Sequence, residues 1–150
     1  MSEREQPWSD ERPGHGRVLV LTDNPISRAI VTIAGAAGRE VLVEPVDDGG
    51  PGLAPRAGDA VVLCDHDAPD APAVLRAALA SEASYVAMMA SRRRAAGLVD
   101  ELVAEGVDVS TLHVPAGHDL GGKAPGEIAL SVVAEIVAEG HGRPGGPMRG

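Results

Sequence analysis

The chain has 150 residues, a formal net charge of −9 and 44% hydrophobic residues, with no Phe and single Trp, Tyr and Cys residues. This length fits one domain whose core is built from Val, Leu, Ile and Ala, which suits helices packed on a buried sheet. The acidic balance argues against nucleic-acid and anionic-membrane binding, and no apolar run approaches the roughly 20 residues of a membrane helix. One cysteine excludes an internal disulfide and fits a reducing compartment, so we expect a soluble cytoplasmic protein.

Strand-like and helix-like segments alternate between a charged, Pro- and Gly-rich lead-in (1–16) and a tail of similar character (141–150), both expected to be flexible. The predicted strands are 17–21, 40–44, 60–64, 85–89 and 111–114. The predicted helices are 25–37, 68–80, 91–105 and 125–139. The segment 47–59 has no helical period and is predicted to be a loop in place of a crossover helix.

The strands are continuous apolar runs such as VLVL and AVVLC, which indicates burial on both faces and hence a parallel sheet covered by helices. The pattern predicts a doubly wound, Rossmann-like α/β domain (17–140) with three layers, α/β/α, and strand order 3-2-1-4-5. In that order, strands one and four are neighbours. Ligands of such folds bind beyond the carboxyl ends of the strands, where four unusual turns should converge.

The first of these turns, LTDNPIS, stands where a dinucleotide-binding fold places its glycine-rich phosphate loop, yet it contains no glycine. Thr22, Asn24 and Ser27 occupy the positions at which glycines would be needed. Asn24 is a good helix N-cap, and Pro25 removes one N–H group that a phosphate would use. Glu44, at the end of strand two, is placed like a ribose-binding acid. We therefore expect a capped helix and no NAD(P) bound in the usual pose.

The turn ASRRR follows strand four and places three arginines in the first turn of a helix. Each cation there interacts unfavourably with the helix dipole, by about 0.3–1 kcal/mol. A bound anion would offset this unfavourable interaction. Ser91, Arg92 and Arg93 are therefore candidates for a phosphate or carboxylate site, although successive side chains point about 100° apart and only one or two can face the crevice. A solvated basic turn is the alternative.

Two further turns carry polar groups. The sequence CDHD ends strand three and offers Asp65 and His66 as ligand-facing groups; Cys64 closes an apolar run and is expected to be a buried thiol. The sequence PAGHDLGG follows strand five, and its candidates are Gly117, Asp119 and Gly121. Glycines there permit positive φ or close backbone approach, and the aspartate either binds a ligand or caps the loop. Neither spacing is diagnostic of a metal, and no metal site is predicted.

Residues 17–140 resemble the C-terminal Rossmann domain of the XdhC/CoxI family, accessory proteins that mature xanthine dehydrogenase and related molybdenum hydroxylases. The resemblance is carried by GDAVVLCDHDAPDAPAVLRAAL, by YVAMMASRRRAAGLVDELVAEG and by LHVPAGHDLGGKAPGEIALSVVAEIVAE. The chain departs from the family where a Gly-x-Gly turn, a Thr-His-Asp-His motif and a threonine before Pro125 are usual. It has Thr22-Asp23-Asn24, Cys64-Asp65-His66-Asp67 and Ala124 instead, and we expect the family's N-terminal domain to be missing from it.

The resemblance implies an accessory protein that binds the molybdenum cofactor or a partner molybdenum hydroxylase, without turnover of its own. The cofactor chemistry of that family also suggests Cys64 as a sulfur carrier, as the alternative to a buried thiol. A degenerate Rossmann module that acts through protein contacts, for example as a homodimer, is the alternative. An NAD(P)-dependent oxidoreductase is disfavoured because no hydride-transfer residues are visible and the glycine loop is lost.

Overall fold

The computed structural model describes residues 16–44, 54–65, 67–68 and 70–149. Strands and helices alternate along these residues. The strands are β1 (Val18–Leu21), β2 (Val41–Glu44), β3 (Ala60–Leu63), β4 (Tyr85–Met88) and β5 (Leu112–His113). The helices are α1 (Pro25–Ala36), α2 (Ala71–Ala80), α3 (Arg92–Ala104) and α4 (Pro125–Gly140). Residues 1–15 of the predicted lead-in lie outside the described residues, and so does His66.

The strands form one parallel sheet in the order β2-β1-β3-β4-β5, so the predicted order 3-2-1-4-5 is wrong. β1 lies beside β3, not β4, and the winding reverses between β1 and β3. The burial of the strands explains the difference. All four residues of β3 are at most 3% exposed, which requires a neighbour on each side, whereas Val43 of β2 is 40% exposed and suits an edge.

Helices cover both faces of this sheet. On one face, α1 and α4 pack together against alternate residues of β1, β3 and β4, such as Val20, Val62 and Ala87. On the other face, α2 and α3 cover the residues between them, such as Leu19, Val61 and Val86. The doubly wound, three-layer α/β prediction is confirmed. No helix in the described part of the chain is long and apolar enough to span a membrane.

The ion pair between Arg17 and Asp59 connects the amino end of β1 to the turn before β3. Asp59 is 2% exposed. Its Oδ1 accepts from the Arg17 backbone N–H at 2.9 Å, and its Oδ2 accepts from Arg17 Nη2 at 2.6 Å and from the Arg56 N–H at 2.8 Å. Burial alone would raise the pKa of this carboxyl, but these hydrogen bonds outweigh burial and lower it.

Candidate functional site

The first turn is closed by its own side chains. Asn24 Oδ1 accepts from the Ser27 N–H at 2.9 Å, and Ser27 Oγ accepts in return from the Asn24 N–H at 2.7 Å, which is a complete capping box. Asn24 Nδ2 also donates to the Cys64 carbonyl at 3.1 Å and so bridges the switch point between β1 and β3. The predicted capped start of α1 is confirmed. The buried Ser27 partner and the bridge to Cys64 were not foreseen.

Thr22 has a backbone conformation that is typical of glycine. Its φ is +80°, which makes it the one non-glycine residue with positive φ in the described chain. A β-branched residue in this left-handed region is strained. The backbone of the turn therefore has a conformation that glycine adopts freely, while the side chains have changed.

We expect Thr22→Gly to stabilise the protein by about 1 kcal/mol, because relief of left-handed strain of roughly 1–3 kcal/mol exceeds the roughly 0.5–1 kcal/mol entropic penalty of glycine. Urea unfolding would measure the change in the free energy of unfolding. Thr32→Gly, on the exposed side of α1, is the control and should destabilise by a few tenths of a kcal/mol. A loss of stability in Thr22→Gly would show that Thr22 is not strained.

The turn after β3 includes two of the predicted candidates, Asp65 and Cys64. Asp65 accepts from the Asp67 N–H at 2.9 Å through Oδ1, so its carboxylate serves the local turn. Burial, followed by the charge of Asp65, raises the pKa of the Cys64 thiol to about 12. At neutral pH Cys64 is thus a protonated thiol, a state that does not suit a nucleophile or sulfur carrier.

The turn after β4 divides its arginines between two cavities. Ser91 caps α3, because its Oγ accepts from the Arg94 N–H at 3.2 Å. Arg92 faces the loop after β5, with Nη2 3.8 Å from Asp119 Oδ2. Arg93 and Arg94 instead line a groove between α2 and α3, where Arg94 also pairs with Asp67 at 3.3 Å. The structure therefore brings Ser91 and Arg92 to the β5 loop and places Arg93 elsewhere.

An open cavity of about 480 Å³ lies between this turn and the loop after β5; we call it the rim cavity. Its lining includes Ala90, Ser91, Arg92, Pro115, Ala116, His118, Asp119, Leu120, Gly121, Gly122, Lys123, Ile128 and Ser131. The side chains of Arg92 and Asp119 are 87% and 82% exposed, so their ion pair is weak and easily exchanged. The cavity thus presents two cations, Arg92 and Lys123, with the carboxylate of Asp119 beside Arg92 and that of Glu127 against Gly122.

The glycines of this loop have different roles. Gly117 has a φ of +97°, its N–H donates to Glu135 Oε1 at 2.9 Å, and a Cβ there would overlap Ser131 Oγ. It is therefore needed for the loop to lie on α4. Gly121 has a φ of +84° and nothing within 4 Å of the position that a Cβ would take, so a ligand can approach its backbone from that side.

A polar cluster below this loop was missed in the sequence. Glu135 of α4 accepts from the Tyr85 hydroxyl at 2.6 Å, and its Oε2 lies 3.6 Å from Nδ1 of His113, whose ring stacks on Tyr85 at 4.4 Å between centroids. Burial alone would raise the pKa of Glu135, but the contacts from His113, Tyr85 and Gly117 lower it to about 2. The available signal was Tyr85, since a buried tyrosine hydroxyl needs a partner.

Of the remaining candidates, Thr22 and Asn24 do not line the rim cavity. The backbone of Glu44 pairs in register with Leu21 at the carboxyl edge of the sheet. Thr22 and Asn24 lie at the β1–β3 switch point. Among the described residues, no three His, Cys, Asp or Glu side chains converge closely enough to hold a metal ion.

Comparison with known proteins agrees with this architecture. Residues 18–136 match the family model described as the XdhC Rossmann domain. Over 68 residues the chain is 37% identical to the uncharacterized protein YqeB of Escherichia coli K12, an alignment that covers 43% of this chain and 13% of YqeB. A crystal structure described as a xanthine dehydrogenase from Bacillus halodurans has the same fold, with a TM-score of 0.71 and 21% identity over 86% of this chain and 44% of that one.

The chain thus spans less than half the length of each of these relatives. The family model, by contrast, covers most of this chain, from β1 into α4. On that match, the chain belongs to the XdhC Rossmann domain family.

Proposed function

We propose that this chain is an accessory domain for a molybdenum hydroxylase and that it binds the phosphate end of the molybdenum cofactor in the rim cavity. The observation that carries the proposal is the pairing of exposed Arg92 with the open loop around Gly121, next to Lys123. Arginine presents a planar fork of donors that suits phosphate, and lysine adds a mobile positive charge.

The residues present fit such a group. Arg92 and Lys123 would neutralise the phosphate, and Gly121 would donate its backbone N–H. The start of α4 contributes less, because Pro125 has no N–H and Glu127 places a carboxylate in the first turn. When bound, the cofactor supplies redox chemistry to the partner hydroxylase. This chain would hold and deliver it. The role therefore requires binding and release but no proton transfer by the chain.

The closed first turn favours this site over a dinucleotide in the usual pose. Asn24 and Ser27 occupy the donors and acceptors of the turn, and Asp23 adds a carboxylate beside it. The same closure also supports the second candidate, a Rossmann module that acts through protein contacts alone. The two candidate functions differ in whether the purified protein retains a pterin.

Native mass spectrometry of the freshly purified protein, with titrations of molybdopterin and NADP⁺, separates these functions. We expect molybdopterin to bind and NADP⁺ not to bind. Binding of neither ligand would contradict the proposal and favour the protein-contact module. Tight NADP⁺ binding would contradict the interpretation of the first turn.

The two arginines provide a matched pair of variants for the site. Arg92→Ala should lower molybdopterin affinity about tenfold, which corresponds to about 1.4 kcal/mol and is typical of one charge-assisted hydrogen bond. Arg93→Ala removes the same charge one residue away, in the other groove, and should change the affinity less than twofold. Isothermal titration calorimetry would measure both. Equal effects of the two variants would show that only the overall charge of the turn matters.

A further inference from the structure

One nitrogen beside the rim cavity lacks a partner. His118 lines the cavity, yet its Nε2 is buried and makes no hydrogen bond with the described residues. A buried polar atom without a hydrogen bond is unfavourable and calls for an explanation. An imidazole nitrogen at the edge of an anion-binding cavity would find a partner in a bound phosphate or in water, if it were uncovered.

A segment of the chain beyond α4 provides the cover. Gly145, with a φ of +81°, lies directly against His118, and a Cβ at this position would overlap Nε2 and crowd both neighbouring ring carbons. The contact therefore requires a glycine, both for its backbone conformation and for its lack of a side chain. Gly146, the next residue, has nothing within 4 Å of the corresponding position.

Among the described residues, few interactions hold residues 143–149 in place. Every residue from 141 to 149 is exposed. The Arg143 N–H donates to the Ala138 carbonyl at 2.8 Å, and beyond it residues 144–149 make no hydrogen bond within the described chain. Segments with exposed backbone and few buried contacts open at low free energy.

We propose that residues 143–149 form a displaceable cover over the His118 imidazole and that this cover keeps Nε2 from a ligand bound in the rim cavity. Displacement would free Nε2 to hydrogen-bond with an anion held by Arg92. The part of this inference that concerns a ligand rests on the proposed function, because it concerns the same cavity; the covering contact does not.

Modification by diethyl pyrocarbonate, followed residue by residue by mass spectrometry, tests the cover without any ligand, since the reagent attacks accessible neutral imidazole. In the wild-type protein we expect His118 to react at least fivefold more slowly than exposed His141. Gly145→Ala should bring the two rates within twofold, because the new methyl group forces the segment away. Gly146→Ala is the matched control and should leave His118 slow. If His118 reacts as fast as His141 in the wild-type protein, or stays slow in Gly145→Ala, the cover is contradicted.

Binding of pyrophosphate, used as the anion probe, tests whether the cover keeps Nε2 from a bound anion. Gly145→Ala should bind it at least threefold more tightly than Gly146→Ala, because the uncovered Nε2 adds a hydrogen bond. Equal affinities in the two variants, with a faster His118 reaction in Gly145→Ala, would overturn this effect of the cover on binding. If no variant binds pyrophosphate, the proposed anion site and its regulation both fail, while the modification rates still decide whether the cover exists.

Discussion

Asp59→Ala is expected to lower the free energy of unfolding by about 2–3 kcal/mol, because each donor left without an acceptor in these part-buried hydrogen bonds is unfavourable by roughly 1–3 kcal/mol. Asp59 is almost fully buried and accepts hydrogen bonds from Arg17 and from the Arg56 backbone. Without the carboxylate, these donors lose their acceptor at the joint between β1 and β3. Since domains of this size are stable by about 5–15 kcal/mol, guanidinium unfolding should detect the loss readily.

An exposed ion pair of the same residue types provides the control. Asp23 Oδ1 lies 3.0 Å from Arg28 Nε, and both side chains are more than 60% exposed. Asp23→Ala should change the stability by less than about 1 kcal/mol. Comparable losses in the two variants would show that burial of Asp59 contributes nothing, and that the effect is one of surface charge alone.

Local signals in the sequence predicted most of the secondary structure. Asn24 followed by Pro25 marks the start of α1, and Ser91 marks the start of α3, because caps act through groups only a few residues away. The apolar runs of β1 and β3 indicated a sheet buried on both faces. Helix α2 begins at Ala71, three residues later than the predicted position 68.

Strand order and the geometry of the site depend on contacts that are distant in sequence. β3 lies between β1 and β4 and is completely buried there. The run AVVL shows that the strand is apolar, but it does not show which strands are its neighbours. The sequence predicted that four turns meet at the carboxyl edge of the sheet. The assignment of Arg92 and Arg93 to different cavities, however, depends on the direction of each side chain on α3. The orphaned Nε2 of His118 depends on a segment 27 residues away.

Glu135→Ala should lower the free energy of unfolding by about 3 kcal/mol. The substitution removes the acceptor of the buried Tyr85 hydroxyl and of the Gly117 N–H, and each unsatisfied buried donor is unfavourable by about 1–3 kcal/mol. Urea unfolding measures the loss. Glu139→Ala, one turn later on the exposed side of α4, should stay within about 0.5 kcal/mol of the wild-type protein. Equal losses in the two variants would mean that the cluster does not stabilise the fold.

Acid titration separates the charge of Glu135 from its shape. Because the folded pKa, about 2, lies below the ordinary value of 4.5, this group stabilises the protein above pH 4.5 and loses that contribution as the pH falls toward 2. Glu135→Gln keeps an oxygen acceptor for Tyr85 but cannot titrate. The wild-type protein should therefore lose its advantage over Glu135→Gln between about pH 5 and pH 2. An unchanged difference across that interval would show that the carboxylate charge is not what holds the Gly117 loop on α4.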